Sequence, residues 1–471
     1  EKSTMMRIQT EKKLSVRLIL SVLAIGLLGF SDIMLETALN VSFPVLMRTF
    51  NVPSSTVQWL TSGVILLTSM VVILSPWLKK RFTNRSQFVV ATVISILGVL
   101  IDAVSSHFGL TLFGRLLQGI GGGVGMPLMY NVIFEQVPEK KRGTMVGLGS
   151  LIISFAPAIG PAFGGYLTQN FGWRTVFWVV LPVQIGSLIL GWFTIRQVSE
   201  VVREKLDLFG WLQLSLFFIS GIFLIERLST HGLINVISVV LLLVMIISLL
   251  SYFKRSKRIT YPLIDPAIFK FKSFSLSVAA SFTTQVANLT FNYAIPMALQ
   301  IVLLKNSQVA GLTLLPGALG YAFMAIVSGR LYDRYGPKLP IVTGITMIIV
   351  GAMMMLFLPL GVFNMTLSFM VVQLGAGFWF GNNMTHAISH VPVAYQSAGN
   401  SIFSATNNYS AAVGIALAAG VMTIFQNHNS TLNYMAKTSL GTTWLFGLDI
   451  IIVIVAATLS LRALRVVNNK A

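Results

Sequence analysis

The sequence predicts an all-α polytopic membrane protein with about fourteen transmembrane helices. Of its 471 residues, 55% are hydrophobic and only 10% are charged, and the mean hydropathy is +0.80. A soluble domain carries about 25% charged residues, so this composition is typical of a chain that lies within a bilayer. The apolar residues also form separate runs near the length of about 20 residues that crosses a bilayer as a helix.

Turn residues and bursts of charge separate these runs and set the predicted spans. The first run follows a polar, basic segment and precedes no small-residue cleavage site, so we interpret it as a retained span and not a signal peptide. The longest and most basic connection, 252–273, divides the chain into two parts. The predicted spans are 18–40, 56–77, 87–105, 109–133, 143–167, 174–195, 208–226, 232–252, 274–303, 309–329, 339–359, 364–388, 397–424 and 442–462.

The basic residues predict how the chain is oriented in the membrane. The net charge is +19, and Lys and Arg occur in bursts between apolar runs, as at 79–85, 254–272 and 330–338. The intervening loops carry one basic residue each, such as Arg174 or Lys305. This alternation is the positive-inside pattern, and it predicts that both termini are cytoplasmic. It also argues against a nucleic-acid partner, because topology accounts for the charge.

Two carboxylates in the first span are the leading candidates for a functional site. Asp32 and Glu36 are four residues apart and therefore share one face of a helix. A carboxylate at that depth costs about 3 kcal/mol or more, so it is rare unless it has a task. The first span is therefore predicted to carry a functional site.

An internal repeat predicts two related halves. SPWLKKRFTNR at Ser75–Arg85 aligns with SGRLYDRYGPK at Ser328–Lys338 at an offset of 253 residues. Repeated halves are the usual build of secondary transporters, with the substrate site between them near mid-membrane. The same offset places Gln285 and Leu289 opposite the two acids, so the N-terminal half is predicted to carry the charge.

Arg115 is the predicted partner of these acids. It lies about two turns inside the fourth span, at a depth similar to that of Glu36. An arginine keeps its proton and needs a counter-charge in the membrane, for which Glu36 is the first candidate and Asp32 the second. Such a pair either couples protonation to conformation, with the other acid facing the cavity, or is a static buried pair that adds little stability.

Three glycine-containing motifs follow one another along the chain. A fourth-span segment has the form R-x-x-Q-G-x-G, at Arg115, Gln118, Gly119 and Gly121. A fifth-span segment reads APAIGPAFGGYL and includes Gly160, Pro161, Gly164 and Gly165. A loop has the form G-x-L-x-D-R-x-G-x-K, at Gly329, Leu331, Asp333, Arg334, Gly336 and Lys338. Together they resemble the motifs of the major facilitator superfamily, and specifically of its 14-helix drug:proton antiporter branch.

The resemblance implies the major facilitator fold, with six-helix bundles at 1–200 and 259–471 and two linker helices at 201–258. It implies a monomeric, proton-coupled antiporter of the bacterial plasma membrane that exports amphipathic, cationic drugs. Its partners would then be small lipophilic molecules, protons and lipids, with a proton gradient as energy source and no cofactor. The alternative is an exporter or symporter for a specific organic solute. No H-E-x-x-H or Walker motif supports an enzyme or an ATP-driven pump.

Two departures from the family pattern bear on the site. The N-terminal copy of the loop motif has Pro76, Lys80 and Thr83 where the family has glycine, an acid and glycine. Any latch, meaning a contact of these loop motifs that holds one conformation closed, is therefore expected to depend more on Asp333 and Arg334. The usual aspartate position of the first helix is Leu35, so the role of that acid does not transfer directly to Asp32 or Glu36.

The other polar residues within the spans are weaker candidates. Glu135 and Asp449 are second-tier proton or cation sites, although Glu135 also fits an interfacial pair with Lys140 and Lys141. Asp102 lies near the end of its span and is expected to be hydrated.

The glycines of the fifth span serve either close packing or antiport directly. No metal site is expected, because the chain has no cysteine for a thiolate site and because His386 and His390, which are four residues apart, have no carboxylate or cysteine neighbour. Predicted cavity-lining residues, or alternatively interhelical hydrogen-bonding groups, are Gln118, Asn288, Asn292, Tyr293, Asn383 and Asn407.

Overall fold

The computed structural model describes residues 15–468 except 138, 199, 203–204, 232–234, 261 and 428–430. That part of the chain is helical, without a β-strand. Its long helices are α1 (Val16–Phe50), α2 (Ser54–Val72), α3 (Asn84–Val104), α4 (Phe108–Gln136), α5 (Glu139–Phe171), α6 (Thr175–Thr194), α7 (Leu208–His231), α8 (Val236–Ser256), α9 (Lys272–Met297), α10 (Ser307–Tyr335), α11 (Lys338–Phe357), α12 (Val362–Ser389), α13 (Val393–Asn427) and α14 (Tyr434–Asn468). A π-helical turn, Ala298–Val302, extends α9, and a short helix, Ser75–Arg81, follows α2.

Each predicted span overlaps one of these helices, which confirms the all-α polytopic membrane fold. Eleven helices in the described chain are long and apolar enough to cross a bilayer. The other three, α4, α5 and α9, are also long enough, but they contain many Gly, Ser, Thr and Asn residues. Several helices outrun the predicted spans: α1 has 35 residues, or about 52 Å, against about 30 Å of hydrocarbon.

Two groups of helices form the body of the protein. In the first, α1 packs against α4, α5 and α6, while α3 and α2 pack against α4. In the second, α9 packs against α13 and α14, and α12 packs against α10 and α11. The groups meet along α5 with α10 and along α2 with α13. Any site between the halves is therefore bordered by these four helices and by α1.

Helices α7 and α8 form a hairpin beside this body. α7 packs against α13 and α2, and the Trp211 indole donates a hydrogen bond to the Met70 carbonyl at 2.9 Å. An ion pair of 2.5 Å joins Asp207 to Arg255 across the hairpin. α8 exposes apolar side chains such as Leu243 and Ile247, as expected of a surface in lipid. The segment boundaries 1–200, 201–258 and 259–471 stay a prediction, because packing does not show which segments fold as units.

The halves touch at the end of the molecule opposite the basic loops, called here the non-basic end. There the Gln300 amide donates to the Val41 carbonyl at 2.9 Å, and the Phe43 and Tyr293 rings pack edge to face with centroids 6.2 Å apart. The Ser307 hydroxyl also donates to the Gly165 carbonyl at 3.2 Å. These contacts join the two halves at the non-basic end.

Candidate functional site

Asp32 lies where α1, α3, α4 and α6 meet. Its Oδ1 accepts hydrogen bonds from the Ser95 hydroxyl at 2.8 Å and from the Gln184 amide at 3.0 Å. The same Gln184 amide lies 2.9 Å from the Ser95 oxygen, so the three groups form a closed triangle. Oδ2 has no hydrogen-bond partner in the described chain, and Gly122 of α4 leaves room beside it. Asp32 is thus oriented through one oxygen, while the other is buried without a hydrogen-bond partner in the described chain.

Glu36 lies one turn further along α1. It is half-buried, and no described residue forms a hydrogen bond or ion pair with its carboxyl group. The neighbouring Thr37 hydroxyl bonds the Ile33 carbonyl at 2.9 Å and packs against Gly160 of α5. α1 therefore presents two partly accessible acids, and Glu36 is the less constrained of the two.

Arg115 is fully buried in α4 and forms no ion pair with Asp32 or Glu36. Its Nε donates to the Leu60 carbonyl of α2 at 3.0 Å, and its Nη1 donates to the Gln118 amide oxygen. The predicted direct pairing with Glu36 or Asp32 is therefore wrong for this conformation. A backbone carbonyl and the amide one helical turn away hold Nε and Nη1, whereas Nη2 is buried without a hydrogen-bond partner in the described chain.

Asp102 is the acid that connects to Arg115, and it was expected to be hydrated. The structure corrects that expectation, because Asp102 is 0% exposed on α3. Its Oδ2 accepts from the Gln118 amide at 2.7 Å, which creates a chain from Asp102 through Gln118 to Arg115. The small residue Gly114 allows the carboxyl group to approach α4 closely. The available sequence signal was an acid inside an apolar run at the same depth as Arg115.

The end of α3 next to Asp102 is closed by the pair Trp173–Arg174. The Arg174 guanidinium donates twice to the Ser105 carbonyl, at 2.9 and 2.6 Å, and lies over the Trp173 ring at 4.4 Å. Ser105 in turn donates to the Asp102 carbonyl at 3.1 Å. These contacts fix the last turn of α3 and shield Asp102 from solvent.

One arginine and three acids make up the charged cluster of the N-terminal half. Arg115 interacts electrostatically with Asp102 most strongly, and then with Glu36 and Asp32. With all three acids ionised, the cluster would carry two uncompensated negative charges. Uncompensated charge among apolar helices is costly, so such a cluster favours binding of protons or another cation.

The predicted cavity-lining residues fall into two groups. Asn288, Asn292 and Asn407 are half-buried, and the Asn292 amide donates to the Asn288 carbonyl at 2.8 Å. The others are corrected to interhelical packing groups, because Gln118, Tyr293 and Asn383 are almost fully buried. The Asn383 amide, for example, donates to the Ser277 carbonyl at 3.0 Å and thereby joins α12 to α9.

The two second-tier acids have opposite environments. Glu135 forms an ion pair with Lys79 at 3.2 Å and lies 3.4 Å from the Asn84 amide. Glu135 therefore belongs to an interfacial ion pair, as expected, but its partner is Lys79. The side chains of Lys140 and Lys141, its expected partners, lie outside the described residues. Asp449 is 0% exposed, and neither carboxyl oxygen has a hydrogen-bond partner in the described chain.

The fifth-span motif holds α5 between the two halves. A Cβ at Gly160 or Gly164 would collide with α1, at Thr37 and Ala38 respectively. A Cβ at Gly165 would collide with the Ser307 carbonyl of α10. Close packing is thus present on both sides of α5, next to Glu36 on one side and across the interface on the other. A direct part of this motif in antiport stays a prediction.

The loop motif lies at the basic end. Gly336 ends α10 with φ of 78°, a backbone conformation that favours glycine, and its N–H bonds the Tyr332 carbonyl at 2.8 Å. Asp333 and Arg334 are exposed and form no ion pair with a described residue, and Arg334 lies 5.3 Å over the Tyr335 ring. Gly329 has open space around it. A latch based on Asp333 and Arg334 is not closed in this conformation.

This chain is similar to a family profile, to sequence relatives and to a solved transporter structure. The sequence profile of the Major Facilitator Superfamily matches residues 25–415 and 277–470. A lincomycin resistance protein LmrB of Listeria innocua is 31% identical over 400 residues, which cover 84% of this chain and 85% of that protein. A multidrug resistance protein B homolog of Mycobacterium tuberculosis is 24% identical over 417 residues, covering 86% and 76%. The solved POT family transporter PepTSo has a TM-score of 0.68 at 13% identity, covering 96% of this chain and 99% of that one.

Proposed function

The chain belongs to the Major Facilitator Superfamily, and from that premise we propose that it is a proton-coupled antiporter that exports amphipathic, cationic drugs. It is a multi-pass membrane transporter and not an enzyme. We also propose that it lies in the bacterial plasma membrane with both termini in the cytoplasm, which its bacterial relatives and the alternation of basic loops support, and that it is a monomer, as the family resemblance implies.

The observation that carries the proposal is the pair of incompletely satisfied acids on α1. Asp32 has one buried carboxyl oxygen without a hydrogen-bond partner and Glu36 has no partner in the described chain, while Arg115 is engaged by Gln118 and Leu60. A free carboxylate in a poorly solvated site gains free energy by binding either a proton or an organic cation. Because the two ligands compete for one group, release of one accompanies binding of the other.

Packing offers a route from these acids to a change of conformation. Glu36 is next to Thr37, which contacts Gly160 of α5, and α5 also contacts α10 through Gly165. A shift of α1 that follows neutralisation of Glu36 would therefore move the helix that joins the two halves. Energy would come from the proton gradient, with no cofactor.

Two relatives point to the substrate class. The names of the relatives from Listeria innocua and Mycobacterium tuberculosis refer to resistance to lincomycin and to multiple drugs. The half-buried Asn288, Asn292 and Asn407 would supply hydrogen bonds to an otherwise apolar substrate. The second candidate is transport of one specific organic solute, for which the ordered Asp32–Ser95–Gln184 triangle is the supporting observation, because a rigid polar site selects its ligand.

The test uses purified protein in proteoliposomes with an imposed pH gradient. We expect ethidium to move against the proton flux, and lincomycin to compete with it. Asp32→Asn and Glu36→Gln should each reduce gradient-driven ethidium movement at least tenfold. Glu200→Gln, which changes an acid in an exposed loop, is the matched control and should leave transport unchanged.

Two results would contradict the proposal in different ways. Full gradient-driven antiport in both single variants and in the double variant would refute the assignment of coupling to Asp32 and Glu36. If the unmodified protein transports neither ethidium nor lincomycin, the proposal of drug export is wrong. The hypothesis that the protein transports one specific organic solute then replaces it.

A further inference from the structure

An unused acid lies inside the C-terminal half of the protein. Asp449 is in the middle of α14, is 0% exposed, and has no hydrogen-bond partner for either carboxyl oxygen in the described chain. Its face of α14 is packed against α9, since Phe446, one turn away, pairs with Phe291 of α9 at 6.0 Å between centroids. Asp449 is therefore enclosed by helices and does not face lipid.

No charged group among the described residues compensates Asp449. Its polar neighbour is the Thr290 hydroxyl of α9, which is already committed to the Val286 carbonyl at 2.9 Å. The helices packed against α14 are α9, α11 and α13, and α12 also touches it where the Trp379 indole donates to the Ser460 hydroxyl at 3.2 Å. The described titratable side chains of these helices, with those of α14 itself, are the phenols Tyr293, Tyr395, Tyr409 and Tyr434, the imidazole His386, and the cations Lys272, Lys338, Lys437, Arg462 and Arg465. Lys437 and Arg462, the nearest cations along α14, are about 18 and 20 Å away along its axis.

We propose that Asp449 is a second proton-binding site, which holds a proton in the conformation seen here and exchanges it when α9 moves relative to α13 and α14. An ionised carboxylate without a partner in this position would cost several kcal/mol or more, so the neutral acid is the stable form. The polar group beside the neutral acid in the described chain is the Thr290 hydroxyl, which is already bonded to Val286, so this contact gives little structural reason for an acid at this position.

The packing around Asp449 links the access of water to a movement of α9 relative to α13. Gly414 of α13 faces α9 so closely that a Cβ there would lie 2.5 Å from the Val286 carbonyl oxygen. The Thr290 hydroxyl is 3.4 Å from the Gly414 carbonyl, so it lies at the crossing of α9 and α13 next to Asp449. Opening of this crossing would give water a path to the carboxyl group. Protonation and helix position would then be linked, since ionised Asp449 favours the open crossing and neutral Asp449 the closed one.

This role rests on the proposed antiport, and it adds one proton per cycle to those carried by Asp32 and Glu36. The first measurement is the ratio of protons to ethidium in proteoliposomes, obtained from the pH gradient that just balances an ethidium gradient. We expect the ratio of Asp449→Asn to be lower by one proton per ethidium than that of the unmodified protein. Asp449→Glu, which keeps a titratable group, should restore the higher ratio. An unchanged ratio in Asp449→Asn would overturn the proposal.

A second readout does not depend on transport. In detergent, the infrared difference spectrum between neutral and alkaline pH should contain a band from a buried carboxyl group that loses its proton, and Asp449→Asn should lack that band. Ethidium binding and elution from a sizing column should be unchanged, because Asn resembles the neutral acid in shape. If the unmodified protein moves no ethidium, the proposed function fails, and the band still decides for or against Asp449 as a proton site.

Discussion

Replacing Gln118 by leucine tests the chain that joins Asp102 to Arg115. The Gln118 amide donates to Asp102 at 2.7 Å, and its oxygen accepts from the Arg115 guanidinium. Leucine has a similar volume but removes both hydrogen bonds, so in this fully buried site it leaves the Asp102 carboxyl group without a hydrogen-bond partner in the described chain and Arg115 with the Leu60 carbonyl alone. Each hydrogen bond to a charged group contributes about 1.5–3 kcal/mol, which predicts a loss of about 3–6 kcal/mol in the free energy of unfolding.

Gln213→Leu is the matched control for this experiment. Gln213 is also buried in a helix, but its amide donates to the neutral hydroxyl of Ser251 at 2.6 Å, and neither group carries a charge. That change should cost about 1 kcal/mol. The free energy of unfolding would be measured for both variants by titration with denaturing detergent. Equal losses in Gln118→Leu and Gln213→Leu would refute the reasoning that Gln118 bridges two charged groups.

Two further changes test the contacts between helices. Gly311→Val adds a Cβ about 2.6 Å from the Pro161 carbonyl carbon, so it should separate α5 from α10 and lower ethidium transport at least tenfold. Gly186→Ala, where the added Cβ has open space, should transport normally, and equal transport by both variants would contradict this role of the interface. Asp207→Asn and Arg255→Gln should each lower the thermal midpoint at low salt, and the double variant should be no worse than either, because both remove the same 2.5 Å ion pair.

Much of the fold could be predicted because the constraint is local. A bilayer forces each spanning segment to satisfy its own backbone hydrogen bonds, so an apolar run of sufficient length becomes a helix whatever its neighbours are. The predicted spans therefore match the helices, and their ends differ where helices such as α1 continue beyond the hydrocarbon. The motifs around Arg115 and Gly160 were likewise sufficient to indicate the family, which the comparisons confirmed.

The positions of Asp32, Glu36 and Arg115 inside spanning helices could be predicted from the sequence, because charged residues stand out in an apolar run. Their partners were not, since hydrogen bonding depends on which helices meet and on how each is rotated. Their similar depth in the membrane predicted Glu36 as the partner of Arg115. In the structure, Arg115 instead donates hydrogen bonds to Gln118 and Leu60, and Gln118 connects it to Asp102. The same limit explains Asp102 itself, whose position in the sequence is near a helix end but whose carboxyl group is enclosed by α4 and shielded by Arg174.

By itself the sequence determined an α-helical membrane transporter with its acids concentrated on the first span, because hydropathy and charge act along the chain. Only the tertiary structure decided which acids are free. It engages Arg115 without Asp32 or Glu36, gives Asp32 one hydrogen-bonded and one buried, unsatisfied oxygen, and encloses Asp449 without a hydrogen-bond partner among the described residues. The physical reason is that the cost of a buried charge depends on the side chains of other helices, and these come together only in the folded bundle.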